Sequence, residues 1–255
     1  MHIVLVPGLW LDASSWNDVV TRLAEAGHRA TALTLRGLDS RTSNRAGMML
    51  ADHVAEIVAA IDRCDGPALL VAHAESGGLV HAAVNRRPES VARAVYVGGF
   101  PSADGAGVLS GFTADAVGGL THTGGQRAID PSLAALHRRV TENAAHVLDG
   151  VQRLSDERRL HVPVTVVATE FTAEDARRWL SAGIDPAREL ARIADVTIVD
   201  LPSGRWTHLE RPNDLSAVLL AAAGRAPAPE LADAAGGSVN AWTATGSTSR
   251  ASTNA

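Results

Sequence analysis

The hydrophobic pattern of the chain alternates between two kinds of segment. Residues 2 to 6 form a short apolar run closed by Pro7-Gly8. Trp16, Val19, Val20 and Leu23 then recur at the spacing of one helix face, with Gly27 after them. The same order of strand, loop and helix returns along the sequence. It predicts a strand at Ala30 to Leu35, a helix carrying Val54, Ile57, Val58 and Ile61, and a strand at Ala68 to His73. A helix from about Ser76 to Arg87 follows, stopped by Pro88, and further strands are predicted at Ala94 to Val97, Val164 to Ala168 and Val196 to Leu201. Strands that read as continuous apolar runs, alternating with amphipathic helices, imply an α/β fold with a mostly parallel central sheet and helices on both faces.

Two stretches depart from this pattern. Residues 101 to 160 are rich in Gly, Ala and His, with only weak helical periodicity at Leu133, Leu136 and Val140. They read as a cap insertion over the C-terminal edge of the sheet, where ligands bind in such folds. From residue 225 the chain turns to Ala, Gly, Pro, Ser and Thr, so 225–255 reads as a disordered tail behind a single domain over 1–224. A chain of 255 residues, 46% of them hydrophobic, has the material for one sizeable core.

Charge and composition narrow the partners. The net charge is -5 and the basic residues are scattered, which gives no electrostatic reason to bind nucleic acid or a membrane surface. All 23 basic residues are arginine, so a Schiff-base lysine, a pyridoxal phosphate enzyme and a lysine-dependent P-loop are excluded. No cofactor is expected, and the expected partner is a small molecule. Cys64 is the one cysteine, so no internal disulfide is possible, and it reads as a small core residue. The N-terminus lacks the basic flank and long apolar region of a signal peptide, which points to a cytoplasmic protein. No two histidines have the spacing of a metal site, and His81 and His122 read as surface or cap residues.

The chemistry concentrates where Leu69-Leu70-Val71 runs into Ala72-His73-Ala74-Glu75-Ser76-Gly77-Gly78. This has the form of a nucleophile elbow, a sharp strand-to-helix turn that needs small residues on both sides. With Pro7-Gly8-Leu9-Trp10, the strand entered through Val162-Pro163, and Leu201-Pro202-Ser203-Gly204, the chain over about 2–223 resembles the α/β-hydrolase superfamily. It is similar in particular to bacterial members whose elbow reads Val-Gly-His-Ser-Gly-Gly-Gly. The resemblance implies an α/β-hydrolase fold. It places the family's serine on Ala74 and its histidine, within Gly-His-Trp, on Arg205 of Gly204-Arg205-Trp206.

Neither replacement can do the original work, because alanine has no nucleophile and guanidinium stays protonated. By the same resemblance the triad acid follows the strand at Val164 to Ala168, with Glu170 the first candidate, Asp175 the second and Asp104 the third. Thr172 stands where the usual aspartate would fall. Glu170 would then face Arg205. The backbone N–H groups of Leu9 and Glu75 would form an oxyanion hole, and Leu9, Trp10, His73, Ser76 and Trp206 would line the ligand. Glu75 is an unusual charge for a pocket floor, and burial there would raise its pKa toward that of a general base.

Three functions follow. The first is a cofactor-independent enzyme performing a non-hydrolytic step, such as proton transfer, elimination, isomerisation or cyclisation, on a small carbonyl compound, with Glu75, Arg205 and Glu170 as its site. The second is a non-catalytic protein that binds a ligand or partner. The third is an ester or lactone hydrolase whose triad has moved to Ser76 and His208.

Overall fold

The computed structural model describes residues 1–9, 11–39, 43–107, 147, 150–183, 187–224 and 241–245. Six strands, β1 (His2–Val6), β2 (Arg29–Ala32), β3 (Ala68–His73), β4 (Val91–Val97), β5 (Val164–Ala168) and β6 (Asp195–Asp200), pair in parallel in the order β2-β1-β3-β4-β5-β6. Helices α1 (Asn17–Glu25), α2 (Leu50–Asp62), α3 (Gly77–Arg86), α4 (Ala173–Ala182), α5 (Thr207–Glu210) and α6 (Pro212–Ala222) cover its faces. This is the α/β architecture that the hydrophobic pattern predicts.

The sheet divides the core because successive side chains of a strand point to opposite faces. Val4, Val6, Leu70, Ala72, Ala94, Tyr96, Val164, Val166 and Ile198 join one cluster with residues of α2 and α3. Their neighbours Ile3, Leu5, Leu69, Val71, Val95, Val97, Val167 and Val199 join a second cluster with residues of α1 and α6. Two-sided burial is why these strands read as unbroken apolar runs. Strand β2 ends at Ala32, short of the predicted Leu35, although Leu33 N–H still donates to Leu5 O at 2.9 Å and Leu35 is buried.

The tail needs correcting. Ala241–Thr245 form a seventh strand, β7, antiparallel to β6, with Asp195 opposite Thr245 and Val199 opposite Ala241. The segment holds Trp242, Thr243 and Thr245, residues that suit a strand, whereas the Gly- and Pro-rich composition of the whole stretch hides it. The sheet therefore extends beyond the 1–224 boundary.

Of the expected cap, the described residues are its two ends. They meet through an isolated antiparallel bridge between Gly107 and Val151, with Gln152 N–H donating to Ala106 O at 2.8 Å. His122, Leu133, Leu136 and Val140 lie outside the described residues. Cys64 is half-buried and packs against the α2 side of the core. Among the described residues no helix is long and apolar enough to cross a membrane.

His81 also departs from expectation. It is 1% exposed, not a surface residue. Its Nδ1 accepts from the Tyr96 hydroxyl at 3.0 Å, and its Nε2–H donates to Glu189 Oε1 at 3.2 Å. Arg159 Nε donates to the same oxygen at 2.9 Å. Burial works against the Glu189 charge, but the bonds from His81 and Arg159 hold its pKa down at about 2. Burial likewise lowers the His81 pKa, so the ring is a neutral link between α3, β4 and the loop before β6.

Candidate active site

The parallel sheet brings the C-terminal ends of β1, β3, β5 and β6 to one edge. The paired positions Val6 with Ala72, and Ala168 with Asp200, fix their level. Gly8, Ala74, Glu170 and Arg205 each lie a few residues beyond these ends.

The elbow is built from its neighbours inward. After His73 the chain turns through Ala74–Ser76 into α3, and Ala74 has φ +50°, the one positive value at a non-glycine residue among those described. Such a conformation costs an alanine about 1–2 kcal/mol and persists where the surroundings over-determine it. A Cβ on Gly77 would lie 2.4 Å from Phe100 O, and one on Gly99 would lie 2.7 Å from Ala74 O. These close backbone approaches hold the turn.

Ser76 holds it from within. It is fully buried, and its Oγ accepts from His73 N–H at 3.0 Å while lying 2.9 Å from His73 O and 3.2 Å from Val6 O. The hydroxyl is spent on backbone, so Ser76 is a brace of the turn and not an exposed nucleophile. His208, its proposed partner, is not presented either. It is fully buried in α5 against Trp16, at 4.8 Å between centroids, and His73, at 4.2 Å, and burial holds its pKa well below the ordinary value. The relocated triad therefore has neither a presented hydroxyl nor a histidine facing solvent.

His73 is buried under the elbow. Its Nε2–H donates to Arg205 O at 2.8 Å, leaving Nδ1 as the lone-pair nitrogen. Burial pushes its pKa down to about 4. Trp206 approaches the same ring at 6.1 Å.

Glu75 is 3% exposed. Oε2 stands 3.0 Å from where a Cβ on Gly8 would be, and His73 Nδ1 stands 3.1 Å from the same point. A Cβ at position 8 would make these two side chains give by a few tenths of an ångström. Burial raises the Glu75 pKa to about 7, against the opposing pull of Arg205.

Arg205 joins two carboxylates. Its Nη1 lies 3.4 Å from Glu75 Oε1 and its Nε lies 3.6 Å from Glu170 Oε2. The sequence anticipates the Glu170 pairing, but it gives Glu75 no basic neighbour. The structure supplies one from the loop after β6. Of the other candidate acids, Asp175 caps α4, accepting from Thr172 N–H at 3.0 Å, and Asp104 accepts from Leu154 N–H at 2.7 Å. Both are structural. Leu9 is buried beside Gly8, and Trp10 lies outside the described residues.

One polar group escaped the sequence reading. Thr169, at the end of β5, is buried, its Oγ1 has no hydrogen-bond partner among the described residues, and it faces Gly98. Its adjacency to Glu170 is the one signal that could have found it. Among the described residues no group of three His, Cys, Asp or Glu side chains could hold a metal ion.

Comparison with known proteins places the chain. Residues 3–242 match the alpha/beta hydrolase family, and the protein belongs to it. A curated relative, esterase PIR7B of Oryza sativa subsp. japonica, is 36% identical over 104 residues, which cover 38% of this chain and 37% of the relative's length. A pyrethroid hydrolase from Sphingobium faniae JZ-2 has the same fold with a TM-score of 0.63 at 18% identity, covering 89% of this chain and 98% of that one. A variant of tomato methylketone synthase I, in complex with beta-ketoheptanoate, also has a TM-score of 0.63, at 17% identity over 88% of this chain and 98% of that one.

Proposed function

We propose that this protein has lost the serine and histidine of the hydrolase triad, to Ala74 and Arg205, and catalyses a cofactor-independent, non-hydrolytic step on a small carbonyl compound. The observation that carries this reading is the Glu75 carboxyl, buried at the elbow beside a methyl side chain and raised by burial to a pKa of about 7. A carboxyl poised near neutrality can both take and return a proton. Bound at the elbow, a ligand would exchange a proton with Glu75 while Arg205 and the N-terminus of α3 steady the negative charge that develops on its oxygen. The α/β-hydrolase scaffold accommodates such ligands, since structures of the tomato synthase hold beta-ketoheptanoate and 2-tridecanone.

A second reading, a ligand-binding protein without catalysis, is favoured by one feature: the Glu75 carboxylate already has a partner in Arg205, 3.4 Å away. The deciding experiment is product analysis with wild type and Glu75→Gln on carbonyl compounds selected by thermal shift. Turnover that vanishes in the folded variant supports the enzyme. Equal turnover in both rejects Glu75 as its proton carrier.

A further inference from the structure

The elbow has one cation and two claims on it. Arg205 is the only positive charge that acts on Glu75 among the described residues, and it is shared with Glu170. Among the described residues, His73 and His208 also pack against the elbow, and burial keeps both neutral. With both carboxylates ionised the cluster therefore carries one net negative charge.

The space for an anion is also taken. The N-terminus of α3 and the amide of Glu75 would attract a carboxylate or oxyanion. The Glu75 carboxyl already lies over Gly8, beside the start of that helix, as a built-in anion. A carboxylate ligand would have to displace it and would add a third negative charge beside one guanidinium, in a buried setting where like charges repel strongly. An uncharged carbonyl compound meets neither obstacle, and its oxygen finds a hydrogen-bond donor whenever Glu75 carries its proton.

We propose that the elbow takes uncharged carbonyl compounds and turns away carboxylates, with Glu75 and Glu170 setting that preference. The proposal rests on the reading of the elbow as the ligand site and names its substrate class. The preference is strongest where Glu75 is ionised. Since burial holds the Glu75 pKa near 7, lowering the pH relaxes the exclusion.

A matched pair of probes tests this on the full chain: 2-heptanone and hexanoate differ in little more than a methyl group against an anionic oxygen. Their affinities are measured by ligand-observed NMR titration at about pH 8.5 and about pH 6, to either side of the Glu75 transition. At the higher pH the ketone should bind wild type at least about tenfold more tightly. Glu75→Gln and Glu170→Gln should each strengthen hexanoate binding and narrow the gap. Acidification should narrow it in wild type and leave it unchanged in Glu75→Gln. Equal affinities in wild type at the higher pH, or a gap that neither variant narrows, would overturn the preference while leaving the enzymatic reading to the turnover assay. Failure of both probes to bind wild type and variants would overturn the preference and the elbow as a ligand site together.

Discussion

Glu75 and Arg205 are 130 positions apart in sequence and 3.4 Å apart across the elbow. The contact joins two places far apart in the chain, the residue after the sharp turn and the loop after β6. Here they supply a carboxyl held near neutrality and the guanidinium that stops its pKa from rising further.

The first consequence concerns hydrolysis. Wild type should give no burst with short p-nitrophenyl esters and no labelling by a fluorophosphonate probe. Ala74→Ser alone should stay nearly inert because its hydroxyl lacks a base, whereas Ala74→Ser with Arg205→His should regain measurable esterase activity. Equal rates in the single and double variants would mean that position 205 does not stand where a base is needed, and probe labelling of Ser76 in wild type would contradict its bracing role.

Glu75 should also leave a mark on stability. Its folded pKa of about 7 lies above the ordinary 4.5, so folding takes up a proton between these values and stability falls as pH rises through that window. His73, lowered to about 4, works the other way at lower pH, because burial disfavours its charged form. The wild-type profile alone therefore mixes the two effects. The difference between wild type and Glu75→Gln isolates the carboxyl, and chemical denaturation should show wild type losing up to about 3 kcal/mol relative to the variant from pH 4.5 to 7. A difference that is flat with pH would reject a proton held on Glu75.

Removing the shared cation strands two carboxylates, of which Glu75 is buried and Glu170 is 40% exposed. Arg205→Ala should lower stability by about 1–2 kcal/mol, less than a fully buried pair would because the contacts are long and half of them faces solvent. Glu170→Gln should change stability by under about 0.5 kcal/mol. Thermal unfolding of both variants checks the order, and an equal effect of the two would remove the distinction between inner and outer carboxylate.

Two glycines of α3 should respond differently to the same substitution. A Cβ at position 77 meets Phe100 O at 2.4 Å, while one at 78 meets the ends of the Ser102 and Gln152 side chains at 2.7 and 2.9 Å. Backbone cannot step aside as a side chain does, so Gly77→Ala should cost about 3 kcal/mol and Gly78→Ala about 1 kcal/mol. The reverse order in denaturant titrations would show that the elbow is not held by the Phe100 carbonyl.

What the sequence disclosed follows from how local each feature is. The strands were legible because Leu70 and Val71, or Val166 and Val167, are buried on opposite faces and so leave an unbroken apolar run. The elbow was legible because its small residues are contiguous. Distance in sequence hid the rest. His81 reads as a lone polar residue until the fold carries Glu189, 108 positions away, to its ring. His208 lies just past Gly204 and Arg205 in sequence, yet the short α5 turns it away from them, against Trp16 and His73. Glu75 found its cation for the same reason, through a loop that no periodicity announces.

The antiparallel strand Ala241–Thr245 satisfies backbone groups on the outer side of β6. Without it, β6 would be the last strand of the sheet, with a row of backbone donors and acceptors open to any extended chain that arrived. Five residues thus cover the backbone of β6 and become the outer strand in its place. A chain ending at Gly224 should keep the elbow and its ion pairs but self-associate with rising concentration, which light scattering would reveal.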